Sequence, residues 1–163
     1  MGTSESLPPI AMLRYREATT VDVPAMQRCR ATDIPAGPAD ARMAAYLDGQ
    51  HHPQQALAAR AAFVALDGDD TVAYIAGHAT TRHGCAGEVQ YLYVAPRYRR
   101  AGVAGHLLQS MARWFEMQGI HRVCVNADLE SAGAVPFYMA HGARALNPYW
   151  YIWDDIRIVF ERG

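Results

Sequence analysis

Residues 61–81, AAFVALDGDDTVAYIAGHATT, hold two runs rich in β-branched and aromatic residues on either side of Asp67, Gly68, Asp69 and Asp70. Two apolar runs joined by an Asp/Gly turn spell an antiparallel hairpin, because Gly and Asp accept the backbone angles that a tight turn between strands demands. The rest of the chain must therefore be fitted around a sheet.

Upstream, LRYREAT (13–19) reads as a strand, and TTVDVPAMQRCR opens a helix with Thr20 or Asp22 as cap and Pro24 in its first turn. From Pro35 to Arg60 the text is Ala-rich and punctuated by Pro35, Pro38, Gly49 and Pro53, which predicts one or two short helices separated by turns. Downstream, EVQYLYV (88–94) is a further strand. Val103, Leu107, Met111 and Trp114 then form a helical stripe that Gly119 ends. HRVCVNA reads as a strand, AGAVPFYMAHGA as a short helix ending near Gly142, and the last segment as a strand through about Ile156 to Phe160, with another strand conceivable around 143–147. The order β, α, α, β, β, β, α, β, α, β fits a mixed α/β or α+β sheet covered by helices.

Composition narrows what such a fold can do. A chain of 163 residues with 51% hydrophobic and 19% charged residues suits one domain, here 12–163 behind a loose tail at 1–11. No apolar run approaches the roughly 18 residues of a membrane span, and the N-terminus lacks the basic and apolar regions of a secretory signal. Cys29, Cys85 and Cys124 are an odd number at wide spacing, which fits neither a disulfide framework nor a zinc site, so a reduced cytoplasm is expected. The net charge of −1 gives no reason to expect nucleic acid. All cationic residues are arginine and none is lysine.

The stretch VAPRYRRAGVAGHLL (94–108) is where a strand gives way to a helix. N–H groups at a helix start have no intrahelical acceptor, and the helix dipole favours negative charge there. Gly102 and Ala104 would let phosphate oxygens approach the main chain, and Arg97, Arg99 and Arg100 would add charge at the rim. The other reading is an ordinary helix N-terminus beside solvated arginines. Neither G-x-x-x-x-G-K-[ST] nor G-x-G-x-x-G is present.

These residues resemble the GNAT superfamily of acyl-CoA N-acyltransferases. Arg99-Arg100-Ala101-Gly102-Val103-Ala104 is similar to its [Q/R]-x-x-G-x-[G/A] signature. SAGAVPFYMAHGA resembles its later N-x-x-A-x-x-[F/L]-Y-x-x-x-G-[F/A] segment, with Ala134, Phe137, Tyr138 and Gly142 in place, and LRYREATTVDVPAM looks like its opening strand and helix. The resemblance implies a mostly antiparallel mixed sheet of six to seven strands, splayed between the fourth and fifth and flanked by about four helices. It also implies acetyl-CoA as co-substrate. Pantetheine would pair with the main chain of Leu92 and Val94, around Tyr93, and pyrophosphate would rest on the N–H groups of 100–105, ending at Gly105. Ser131 stands where the family usually has Asn and keeps only a hydroxyl for the pantetheine.

The chemistry implied is transfer of an acetyl group to a primary amine by direct attack in a ternary complex. Only about one lysine-like amine in a thousand is neutral at pH 7, so a proton must be taken. Glu88 matches the place where some members carry a base, acting directly or through water; otherwise it is a solvent-facing strand residue. Asn126 stands where others carry a glutamate base. Tyr138 matches the acid that protonates the departing thiolate; its bland alternative is a half-buried aromatic.

Gln90, Tyr91, Asn126 and Trp150 are candidates for binding the acceptor, with Asp33, Asp40, His51 and His52 closing its side by resemblance. The aromatic segment NPYWYIWDD is either a cation-recognising wall or a core or subunit-interface cluster, and a homodimer is plausible. No metal is expected, since adjacent His51 and His52 point apart on a helix. EVQYLYV is similar to the strand of polyamine-acetylating members, hinting at a small amine or polyamine; a peptide amine is also open. The competing readings are a non-catalytic CoA-binding sensor or interaction module, and a turn that binds another anion such as a nucleotide.

Overall fold

The computed structural model describes residues 12–31, 33, 38–127 and 133–162, with the backbone alone for 38–41. The expected tail at 1–11 lies outside them. Seven strands form one sheet: β1 (Arg14–Glu17), β2 (Ala56–Asp67), β3 (Asp70–Thr80), β4 (Gly87–Val94), β5 (Val123–Asn126), β6 (Arg144–Ala145) and β7 (Trp150–Trp153). Their spatial order is β1-β2-β3-β4-β5-β7-β6, antiparallel throughout except for the parallel pair β4/β5. The helices are α1 (Val23–Ala31), α2 (Pro38–Leu47), α3 (Val103–Met117), α4 (Ala134–Ala140) and α5 (Val159–Arg162).

The hairpin forms as its sequence predicts. Asp67 pairs with Asp70, and Gly68 takes φ 60 in the two-residue turn. Alternation along β3 then builds two cores, because successive side chains leave a strand on opposite faces. Ala73 and Ile75 pack under α3, while Tyr74 and Ala76 pack under α1 and α2 with Val23, Met26, Met43 and Tyr46.

Helix α3 buries Val103, Leu107 and Met111 as expected, and Phe115, rather than the half-buried Trp114, completes the stripe. Full burial of such a side chain contributes roughly 1.5–3 kcal/mol. The helix lies close to the sheet because Gly87 has no side chain: a Cβ there would meet Phe115 Cε1 at 2.6 Å. Gly119 ends the helix at φ 74.

Three expectations are corrected. Residues 56–60 extend β2 instead of belonging to a helix: the chain turns after Pro53, whose carbonyl accepts from Ala56 N–H, and the unpaired edge of β3 then offers Ala56 a partner in Thr80. The first helical run, a 3₁₀ turn over Thr20–Asp22 leading into α1, is capped by Thr19, whose N–H donates to the Asp22 carboxylate at 2.9 Å. The C-terminal strand stops at Trp153, and Ile156–Ile158 and α5 are helical. Asp155 accepts from Arg157 N–H at 3.0 Å and starts the turn, which buries Ile156 and Val159 at helical spacing. The short strand conceivable at 143–147 is β6. No described helix is long and apolar enough to cross a membrane.

Candidate active site

The sheet opens at its parallel pair. β4 and β5 are joined only by Gly87↔Val123, Glu88↔Cys124 and Val89↔Val125. On its other side β4 pairs Val89 with Gly77 and Tyr91 with Ala76, leaving Gln90 as an extra, unopposed residue. Such a bulge bends and twists its strand, and the separation from β5 begins there.

The register says which peptide groups face the gap. Ala95 N–H bonds Val72 O, so that rung is hydrogen-bonded, and by alternation Ala73↔Val94 and Ile75↔Leu92 are not. The N–H and C=O groups of Leu92 and Val94 therefore point away from β3, into the opening. Arg99 already reaches one of them, its Nε–H donating to Val94 O at 2.9 Å.

A cavity of about 220 Å³ fills the opening. Gln90, Tyr91, Leu92, Tyr93, Arg99, Asn126 and Tyr138, all sequence candidates, line it. So do Arg30, Tyr74, Val89, Val125 and Ala134, which were not singled out. Ala134 belonged to the quoted motif and Val89 to the quoted strand, but nothing local marks Arg30 or Tyr74, which arrive from α1 and β3.

Beyond β4 the chain makes a 3₁₀ turn over Pro96–Tyr98 and enters α3 through Arg100 at φ 63 and Gly102 at φ 82. Left-handed residues in this turn aim successive N–H groups into one concavity. Among the described residues, none of the N–H groups from Arg100 to Gly105 has a protein acceptor. Gly105 is hemmed in by His141, whose Nε2 would lie 3.1 Å from an added Cβ. Orphan donors here and the outward-facing peptide groups of Leu92 and Val94, whose carbonyl Arg99 takes, suit an extended ligand with an anionic end.

Tyr138 reaches the cavity from α4. It is 6% exposed, packed edge-on against Trp153 with centroids 5.7 Å apart, and burial pushes its phenol up to about 12. Its hydroxyl has no partner among the described residues.

Residues 29–143 match the family model described as Acetyltransferase (GNAT) family. The chain belongs to the GNAT acetyltransferase family. It is an acetyl-CoA-dependent N-acetyltransferase. Solved structures share its fold at low identity. An acetyltransferase from Thermus thermophilus is 17% identical at a TM-score of 0.67, over 90% of this chain and 99% of that one. NAA60 of Arabidopsis thaliana, in complex with a bisubstrate analogue, is 11% identical at 0.68, over 86% and 97%. AAC(6')-Iy, bound to a bisubstrate analogue of CoA and acetylneamine, is 18% identical at 0.65, over 83% and 92%. No curated protein matches in sequence.

The remaining candidates of this acetyltransferase fall in three places. Glu88 is buried at 3% exposure rather than solvent-facing, and stands behind the cavity wall with Nε2 of His78 3.7 Å from its Oε1. Trp150 lies outside the cavity, under the Arg82 guanidinium at 4.3 Å and against His83, in a cluster with Cys85, Cys124 and Ile152. Tyr151 and Trp153 of the same segment are core, and its carboxylates are engaged, Asp154 with Arg144 and Asp155 with Arg157. Ser131 and the Asp40 side chain lie outside the described residues. Asp33 accepts from Arg99 and Tyr93, which hold its carboxyl below the usual range. The Arg60 guanidinium binds the His51 carbonyl and His52 Nδ1.

Wide sequence spacing hid one pairing: Cys85 and Cys124 meet in the buried cluster. The neighbouring Cys124 thiol, with help from Arg122, draws the Cys85 thiol below its ordinary value, while Cys124 itself donates to the Arg82 carbonyl at 4.0 Å.

Proposed function

We propose that this acetyltransferase moves an acetyl group to a primary amine by direct attack within a ternary complex. The observation that carries the reading is the pairing of two open main-chain sites, the edge of β4 at Leu92 and Val94, where Arg99 takes only the Val94 carbonyl, and the N–H donors of Arg100–Gly105. An acyl-pantetheine arm ending in a pyrophosphate has matching chemistry, an extended amide chain for the strand edge and an anion for the turn. The co-substrate supplies an activated thioester carbonyl.

The chain's own residues divide the remaining work. Leu92 and Val94 hold the extended arm, and the turn anchors its phosphates. Tyr138, kept protonated by burial, is placed to give its proton to the departing sulfur. Glu88 takes the proton of the acceptor amine through water, since it is buried and is not one of the residues that line the cavity. Gln90 and Asn126 orient the acceptor with amide dipoles; Gln90 Oε1 is buried with no other hydrogen-bond partner.

The acceptor is a small or peptide amine. The described wall offers no carboxylate to seat a second ammonium group, a setting that suits an acceptor with one amine rather than a polyamine. An amine-library acetylation screen read by free-thiol release tests the reading. Transfer to single amines supports it, and CoA binding without transfer to any amine overturns it. Competition for the turn by CoA but not by ATP separates coenzyme binding from general anion binding.

A further inference from the structure

Behind the cavity wall, three polar side chains from three elements form a buried line. Tyr46 of α2 and His78 of β3 are 0% exposed, and Glu88 of β4 is opposite His78 in the strand register. The Tyr46 hydroxyl lies 2.8 Å from His78 Nδ1, and His78 Nε2 lies 3.7 Å from Glu88 Oε1. Neither Nε2 nor Oε1 has a hydrogen-bond partner among the described residues, and the two face each other within ion-pair distance. An ionised carboxylate in such a place is costly unless a donor faces it.

Glu88 and Tyr46 decide which ring nitrogen carries the proton. A bare Nε2 would set two acceptors face to face 3.7 Å apart, so the ring proton belongs on Nε2 and Nδ1 accepts from the Tyr46 hydroxyl at 2.8 Å. That proton is directed at Glu88.

We propose that His78, presented as its Nε2–H tautomer by Tyr46, is a positioning residue that keeps Glu88 ionised and oriented for accepting the amine proton. The inference rests on the reading of Glu88 as the base. The other titratable groups around the line are Cys124 from β5, in register with Glu88, Tyr91 of β4 edge-on to Tyr46, Arg60 of β2 over the Tyr46 ring at 4.7 Å, and Arg82 beside Cys124. None of them is a second carboxylate, and among the described residues His78 is the group within ion-pair distance of Glu88, at 3.7 Å.

The test is the pH profile of kcat/KM, with acetyl-CoA affinity measured alongside by calorimetry. His78→Leu is expected to move the acid limb to higher pH, lowering kcat/KM about tenfold on that limb and leaving the pH-independent plateau and acetyl-CoA affinity unchanged. His78→Gln, whose amide N–H stands near the position of Nε2, should restore most of the loss, and Tyr46→Phe should give a smaller shift in the same direction. Full activity in Glu88→Gln removes the base reading itself. An inactive Glu88→Gln together with an unmoved acid limb in His78→Leu overturns this inference alone. Should His78→Leu fail to fold, ¹⁵N NMR of the unaltered protein decides, with His78 assigned by its missing signals in His78→Gln: a proton on Nε2 supports the proposal, and one on Nδ1 with Nε2 bare overturns it.

Discussion

Arg99 donates through Nε to the carbonyl of Val94 at 2.9 Å, so a side chain from the turn before α3 closes part of the strand edge that opens the sheet. The same guanidinium holds Asp33 at 2.7 Å. Arg99 thus ties the turn, the central strand and the segment after α1 to one another at the mouth of the cavity.

Arg99→Ala is expected to weaken acetyl-CoA binding roughly threefold to tenfold, because the loss of a cation beside the phosphates outweighs the freeing of one carbonyl. Calorimetry at low and high salt checks the cause. The difference between the two proteins should shrink as salt rises.

Gly102 occupies φ 82 at the entrance to α3, where any other residue pays about 1–2 kcal/mol. Gly102→Ala should lower Tm by about 2–8 °C and, if the turn seats the phosphates as proposed, also weaken acetyl-CoA binding, since the strained turn would no longer present its N–H groups together. Gly119, at φ 74 with open space around it, is the control: Gly119→Ala should lose comparable stability and keep full affinity.

Tyr138→Phe should reduce kcat about 100-fold with less than about twofold change in acetyl-CoA affinity, the signature of a group used in the transition state. Stopped-flow and calorimetry separate the two. The phenol also carries a linkage: its pKa is raised to about 12 in the folded protein against 10.0 for an exposed tyrosine. Its contribution to stability is therefore complete below pH 10 and is lost as pH rises through about 12, so alkaline unfolding should be less steep in Tyr138→Phe.

Asp155 caps the C-terminal turn and is held at about 2, first by its hydrogen bonds to the Arg157 side chain and then by the Arg157 N–H. A depressed carboxyl stabilises above its unfolded pKa of about 4, and that stability disappears as pH falls through about 2. Asp155→Asn should melt earlier than the parent at pH 7 and at the same temperature near pH 2, as scanning calorimetry would show.

The line from Glu88 to Tyr46 shows why part of the site was illegible in the chain. Gln90, Tyr91 and Tyr138, which line the cavity, and Glu88, proposed as base, all sit in short motifs whose spacing is local. His78 and Tyr46 carry no such signal; they meet Glu88 through the β3/β4 register and the packing of α2. Trp150 shows the reverse failure. An aromatic beside acidic residues suggested a cation site, but β7 turns it toward Arg82 and His83 on a different part of the sheet. The strand expected over 156–160 failed for a related reason. Alternating apolar residues suit either element, and the Asp155 cap with burial against α3 selected the helix.

Taken alone, the amino-acid order determined the hairpin, the central strand, the long amphipathic helix and the glycine turn between them, because each depends on side-chain periodicity or on φ preferences acting over a few residues. The tertiary structure decided where β4 parts from β5, which peptide groups that parting leaves unsatisfied, and which distant side chains line the opening or stand behind it. Those outcomes depend on strand register and helix packing between residues far apart in the chain, and no local preference encodes them.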